Sequence, residues 1–142
     1  MNTSEIRVLQ FNQGVGVATP PNSADVASKQ SLANNATTAI SGLSYDYNRI
    51  LGLYIDYFIY RRTDAGFKWS TGRLFITALL DQGLGTPWNL HQPLLTEFND
   101  PGVTFSINNA LNPEFELNVT LDNMAGANHS AVMRYKVSTF PV

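Results

Sequence analysis

Residues 51–62 read LGLYIDYFIYRR, and the two-residue period of a strand sorts them onto two faces. One face receives Leu51, Leu53, Ile55, Tyr57 and Ile59, apolar without a break until Arg61. The other receives Gly52, Tyr54, Asp56, Phe58 and Tyr60. A strand with water at its back carries polar groups there, whereas this one carries three aromatics around a single acid. Left bare, the row would form an apolar patch of the kind monomers avoid. Its cover is expected from a neighbouring subunit, because residues before Ala36 offer little beyond Val17, Val26 and Leu32. Tyr54, Phe58 and Tyr60 are therefore the candidate subunit interface. The charged pair Arg61-Arg62 reads as a solvated strand end.

Working outward, residues 36–43 (ATTAISGL) form the preceding strand, and the turn Thr63-Asp64-Ala65-Gly66 leads into a strand with Leu74, Ile76 and Leu80 on its core side. Trp88 to His91 is a short strand. Pro101-Gly102 suits a type II turn, after which Val103, Phe105 and Ile107 alternate with polar residues. Phe115, Leu117, Val119 and Leu121 alternate with Glu116, Asn118 and Thr120, and Ala131, Met133, Tyr135 and Val137 mark the last strand. Such short strands between turns, with no amphipathic helix, predict an all-β antiparallel sandwich or jelly roll over residues 36–142. Residues 1–35 read as an extended N-terminal arm or long loop. Ser4 to Phe11 alternate weakly, and Asp25 to Leu32 hold at most one helical turn.

One domain is expected at 142 residues. Charged residues are only 14% of the chain, well below the usual quarter, which suits strands and shared surfaces. A net charge of −2 and the lack of a Lys/Arg stripe speak against a nucleic-acid partner. No cysteine is present, so disulfides and thiolate metal sites are excluded. The N-terminal residues have no secretory pattern, and no apolar run is long enough for a membrane helix. A soluble protein without membrane contact is expected.

No residues assemble into a catalytic constellation. Gly14-Val15-Gly16 lacks the third glycine of a dinucleotide loop, and Pro20-Pro21 follows where a helix should open. His91 and His129 have no partner at metal-ligand spacing. Asp56 stands alone on an apolar face and needs a partner, for which Arg61, Arg62 and Arg134 are available. Asp81, Glu97 and Asp100 are acids among eleven, too scattered to mark a glycosidase pair. Trp69 and Trp88 with the tyrosines could stack on sugars, although packing is the commoner use of aromatics. No enzyme activity, cofactor or metal is expected.

The succession Ile40-Ser41-Gly42-Leu43, Tyr57-Phe58-Ile59-Tyr60-Arg61-Arg62-Thr63, Gly72-Arg73-Leu74, Gly102-Val103-Thr104-Phe105-Ser106 and Met133-Arg134-Tyr135-Lys136 resembles small β-sandwich proteins of tailed bacteriophages. The resemblance runs from about Ile40 to the C-terminus. It implies an architectural protein, in which Gly102 serves a turn and Val103 and Phe105 the core. Such modules occur as capsid decoration (cement) proteins and in head and tail fibres, often as trimers. The expectation is a decoration protein on the capsid surface of a virion, a homotrimer bound to the major capsid protein. A receptor- or carbohydrate-binding fibre module is the alternative.

Overall fold

The computed structural model describes residues 27–78, 87–110 and 113–142. They form eight strands: β1 (Ser28–Ser31), β2 (Ala36–Ala39), β3 (Ile50–Thr63), β4 (Gly66–Ala78), β5 (Trp88–Phe98), β6 (Val103–Asn108), β7 (Glu116–Leu121) and β8 (Ser130–Pro141). A five-stranded sheet has the order β1-β8-β3-β4-β5, a three-stranded one the order β2-β7-β6, and every pairing is antiparallel. The protein is an all-β sandwich with no helix among the described residues.

The stretch read first is the central strand of the larger sheet, paired with β4 on one side and β8 on the other. Leu53, Ile55, Tyr57 and Ile59 point inward with Leu74, Ile76 and Met133, and meet Leu117, Val119 and Leu121 of the smaller sheet. Trp88, Phe115, Ile40 and Leu43 close one end of this core. Leu51 departs from its expected core position: the β3–β8 register shifts between Ile50 and Gly52, and Leu51 is exposed. Tyr57 carries a hydroxyl into the core, where Gln92 donates to it at 2.9 Å and Ser70 lies at 3.2 Å.

Three elements differ from expectation in extent, the first being β2, which ends at Ala39 rather than at Gly42. β5 runs for eleven residues instead of four, because its edge position tolerates Pro93, which cannot donate to a ladder. The β4–β5 register shifts between Arg73 and Phe75, where β5 carries one residue more than β4. Gly72 sits against this irregularity, and a Cβ there would collide with the Leu94 carbonyl. On the N-terminal side, residues 28–31 are strand rather than helical turn, hydrogen-bonded to β8, and Leu32 is buried in the core. The sandwich thus takes in residues 28–35, which the arm was expected to hold; Ser4 to Phe11, Gly14-Val15-Gly16, Leu80 and Asp81 lie outside the described residues.

Arg61 corrects the sequence reading most sharply. It is completely buried rather than solvated, because strand alternation places it on the core side and three loops close over it. Its guanidinium donates to the Pro101 carbonyl of the β5–β6 loop, to the carbonyl and carboxylate of Asp122 in the β7–β8 loop, and to Asn34 Oδ1 between β1 and β2. Gly102 has a φ of 67° and no room for a Cβ against the Asp122 carboxylate, so the turn glycine is required both by backbone and by this cluster. Arg62, the next residue, is exposed as expected.

Replacing Arg61 by an apolar side chain takes the donor from the Pro101 and Asp122 carbonyls, while the Asp122 carboxylate, 60% exposed, stays solvated. Losing the partner of a buried acceptor costs about 1–3 kcal/mol. Arg61→Leu should lose that much in urea denaturation, whereas Arg62→Leu should stay within about 0.5 kcal/mol. Equal losses would show that the cluster does not hold the loops. Arg61 Nε also donates to His129 Nε2 at 3.4 Å, which requires a neutral imidazole. Burial, then the Arg61 charge, lowers the His129 pKa below its ordinary 6.5. The native state therefore binds this proton less readily than the unfolded chain, so stability present above pH ~6.5 is lost as pH falls below it. His129→Gln should flatten the decline between pH 7 and 5; an unchanged slope would assign it to another group.

Candidate functional site

The face of the five-stranded sheet turned away from the core carries the chemistry, and strand register arranges it in rows. Asp64-Ala65 makes a two-residue turn between β3 and β4, which sets Tyr60 opposite Trp69 and Phe58 opposite Thr71. β5 then adds Phe98 opposite Trp69. The result is a continuous aromatic array: Phe58–Trp69 at 5.8 Å between ring centroids, Trp69–Phe98 at 5.8 Å, Phe98–Phe67 at 5.5 Å and Phe67–Tyr60 at 6.0 Å, all near-parallel. At the other end of the face Phe140, Tyr54, Phe75 and His91 follow one another across four strands. Each aromatic pair contributes about 0.5–1.5 kcal/mol beyond its area burial. The rings therefore hold one another in place while their outer sides stay open.

Between the arrays lies a charged belt. Arg73 grips the Asp56 carboxylate with two hydrogen bonds of 2.7 and 3.0 Å, and its guanidinium lies 4.7 Å from the Tyr54 ring centroid. The Arg73 hydrogen bond holds the Asp56 pKa below the usual carboxylate value against the opposing effect of desolvation, with Lys136 adding to the lowering. Arg73 is shifted upward in return. A shallow groove of about 580 Å³ crosses the belt, lined by Asp56, Phe58, Thr71, Leu94, Arg134 and Lys136.

All three interface candidates lie on this face. Phe58 and Tyr60 are 42% and 40% exposed, and Tyr54 is half-buried between Phe75 and Phe140. Sequence reasoning missed Phe67, Phe75, Phe98 and Phe140, and named Trp69 only as an aromatic able to stack on sugars. The two-residue turn could have supplied the β4 members, since it fixes the hairpin register; the β5 and β8 members require the sheet order. Asp56 pairs with Arg73 rather than with Arg61, Arg62 or Arg134, because Arg73 stands directly opposite it. Trp88 is buried with its indole N–H on the Pro113 carbonyl at 2.9 Å, so only Trp69 of the two tryptophans reaches this surface. His91 and His129 are not brought together: the first ends the Tyr54–Phe75 row and the second sits beside Arg61. Among the described residues no three His, Asp or Glu side chains converge as metal ligands.

No protein-family model matches the chain, and no curated protein is significantly similar to it. A solved structure, the tailspike protein of Acinetobacter phage vB_ApiP_P1, aligns with 81% of this chain at 20% identity and a TM-score of 0.37. The chain spans about a fifth of that tailspike's length. A TM-score this low makes the tailspike a weak structural neighbour, and none of its properties is carried over.

The Asp56–Arg73 pair is 47% and 39% exposed, so solvent screens it and it contributes little to stability. Asp56→Asn should shift urea denaturation only slightly and lose the difference in ~1 M salt. A large shift that persists in salt would mean that the pair holds the sheet together rather than shaping its surface.

Proposed function

We propose that this chain is a structural protein of a tailed-phage virion, a capsid decoration (cement) protein that assembles as a homotrimer and binds the major capsid protein. The observation that carries the reading is the aromatic array of Phe58, Tyr60, Phe67, Trp69 and Phe98, four of which are exposed large apolar groups on one rigid face. Aromatic and arginine side chains are the commonest anchors of protein contacts. A rigid sheet face presents them without the ordering cost of a loop. The motif succession from Ile40 to Lys136 supports a phage placement, and on this reading the protein works by binding rather than by catalysis. A fibre module that binds a receptor or carbohydrate is the second reading, favoured by the groove beside Phe58, where a ring and hydroxyls of Thr71 and Thr96 lie together.

Particles assembled without the protein should bind it saturably, in proportion to the major capsid protein, and gain resistance to heat. Saturation at a few copies per particle would favour the fibre reading, and no binding would defeat the decoration role. Attachment through the N-terminal residues is part of the same proposal. A chain lacking residues 1–26 keeps all eight strands and should fold while binding particles more weakly. A chain lacking residues 1–35 loses β1 and the buried Leu32 as well, and should be clearly less stable to urea. Undiminished particle binding by the first truncation would remove the N-terminal residues from the contact.

A further inference from the structure

The outer face is not only aromatic but strongly cationic. Register places Lys29, Arg62, Arg73, Arg134 and Lys136 on it against a single carboxylate, Asp56. The whole chain carries −2, so a face of +4 leaves −6 for everything else. Lys29 stands directly opposite Arg134 across β1 and β8, an arrangement that costs stability in a sheet. Among the described residues neither is in a salt bridge.

A surface of complementary chemistry lies on β5. Leu95 and Glu97 are opposite Gly72 and Ser70, which places them on the core side of the sheet, where the Tyr57 pKa is raised chiefly by burial, with the Glu97 charge adding last to the rise. The three-stranded sheet does not reach this far. Leu95 is 51% exposed, Glu97 is exposed, and among the described residues β5 is an edge strand of its sheet.

We propose that the outer face of one copy docks on the Leu95–Glu97 flank of β5 in a second copy, head to tail. The inference rests on the assembly reading above and specifies its geometry. Two copies meeting face to face across a two-fold axis would set +4 against +4, which like-charge repulsion disfavours. A head-to-tail contact instead sets cations and aromatics against an acid and an exposed leucine. Every copy then offers one face and one flank, and the assembly closes as a ring when the rotation allows it. In this arrangement the unfavourable Lys29–Arg134 pairing is relieved by the neighbour's negative charge.

The test combines two charge variants in sedimentation and thermal melts. Wild-type protein should form oligomers that weaken as salt rises. Arg134→Glu places a carboxylate opposite Lys29, so its melting temperature should not fall, while association weakens by about tenfold or more. Leu95→Lys, at an exposed position, sets another cation against the cationic face and should likewise fold and fail to associate. Mixed together, the two should form a one-to-one heterodimer, since the first keeps an intact flank and the second an intact face. A mixture that stays monomeric would overturn the head-to-tail contact, as would an Arg134→Glu chain that still forms full oligomers. Wild-type protein that is monomeric yet retained on an acidic polysaccharide through Arg134 would make the face a glycan site and equally defeat the proposal. Monomeric protein that still saturates particles would sink this inference, and the homotrimer with it, while leaving the capsid-binding role intact.

Discussion

A guanidinium with no access to water must satisfy its donors inside the protein, and Arg61 does so by gathering three loops that are distant in sequence. Asn34, Pro101 and Asp122 belong to different connections, and each contributes an oxygen to the same side chain. The cost of burying the charge is offset only while all three stay in place. One end of the sandwich is thus closed by a polar cluster, whereas the other is closed by Trp88 and Phe115, 4.9 Å apart between ring centroids. The same closure sets His129 beside Arg61, and burial, then the Arg61 charge, lowers the His129 pKa.

The unequal sizes of the sheets determine where the molecule is unfinished. Three strands cannot cover five: on β5 Trp88 is buried in the core, whereas residues 91–98 are exposed. The outer side of the larger sheet has no layer over it among the described residues. Cross-strand stacking there produces a surface whose shape is set in advance, and the belt of Asp56 and Arg73 separates its two aromatic ends. The open flank, the aromatic face and the excess of positive charge on that face are the surfaces that the proposed contact between copies would cover.

The inner and outer faces of β3 were legible in the sequence because strand alternation is a local property. The same holds for β7 and for the half-buried β6, where inside and outside residues follow one another without interruption. β1 was not legible: SKQS (residues 28–31) has no apolar alternation and is a strand only because β8 offers it hydrogen bonds. The full length of β5 was hidden by Pro93, which reads as a break unless the strand is known to lie at an edge. Trp88 was indistinguishable from an exposed aromatic until its indole N–H was seen to meet the Pro113 carbonyl.

By itself the sequence determined an all-β antiparallel domain, its central strand and the row of Tyr54, Phe58 and Tyr60 on one side of it. These follow from a period of two residues and from turn chemistry, both of which act over a few neighbours. Tertiary structure alone decided that Arg61 is buried while Arg62 is not, that Asp56 meets Arg73, and that Lys29 faces Arg134. Those outcomes depend on strand order and register, which bring together residues up to 105 positions apart, as Lys29 and Arg134 are. Side-chain identity says what a residue needs; only the packed chain decides which neighbour supplies it.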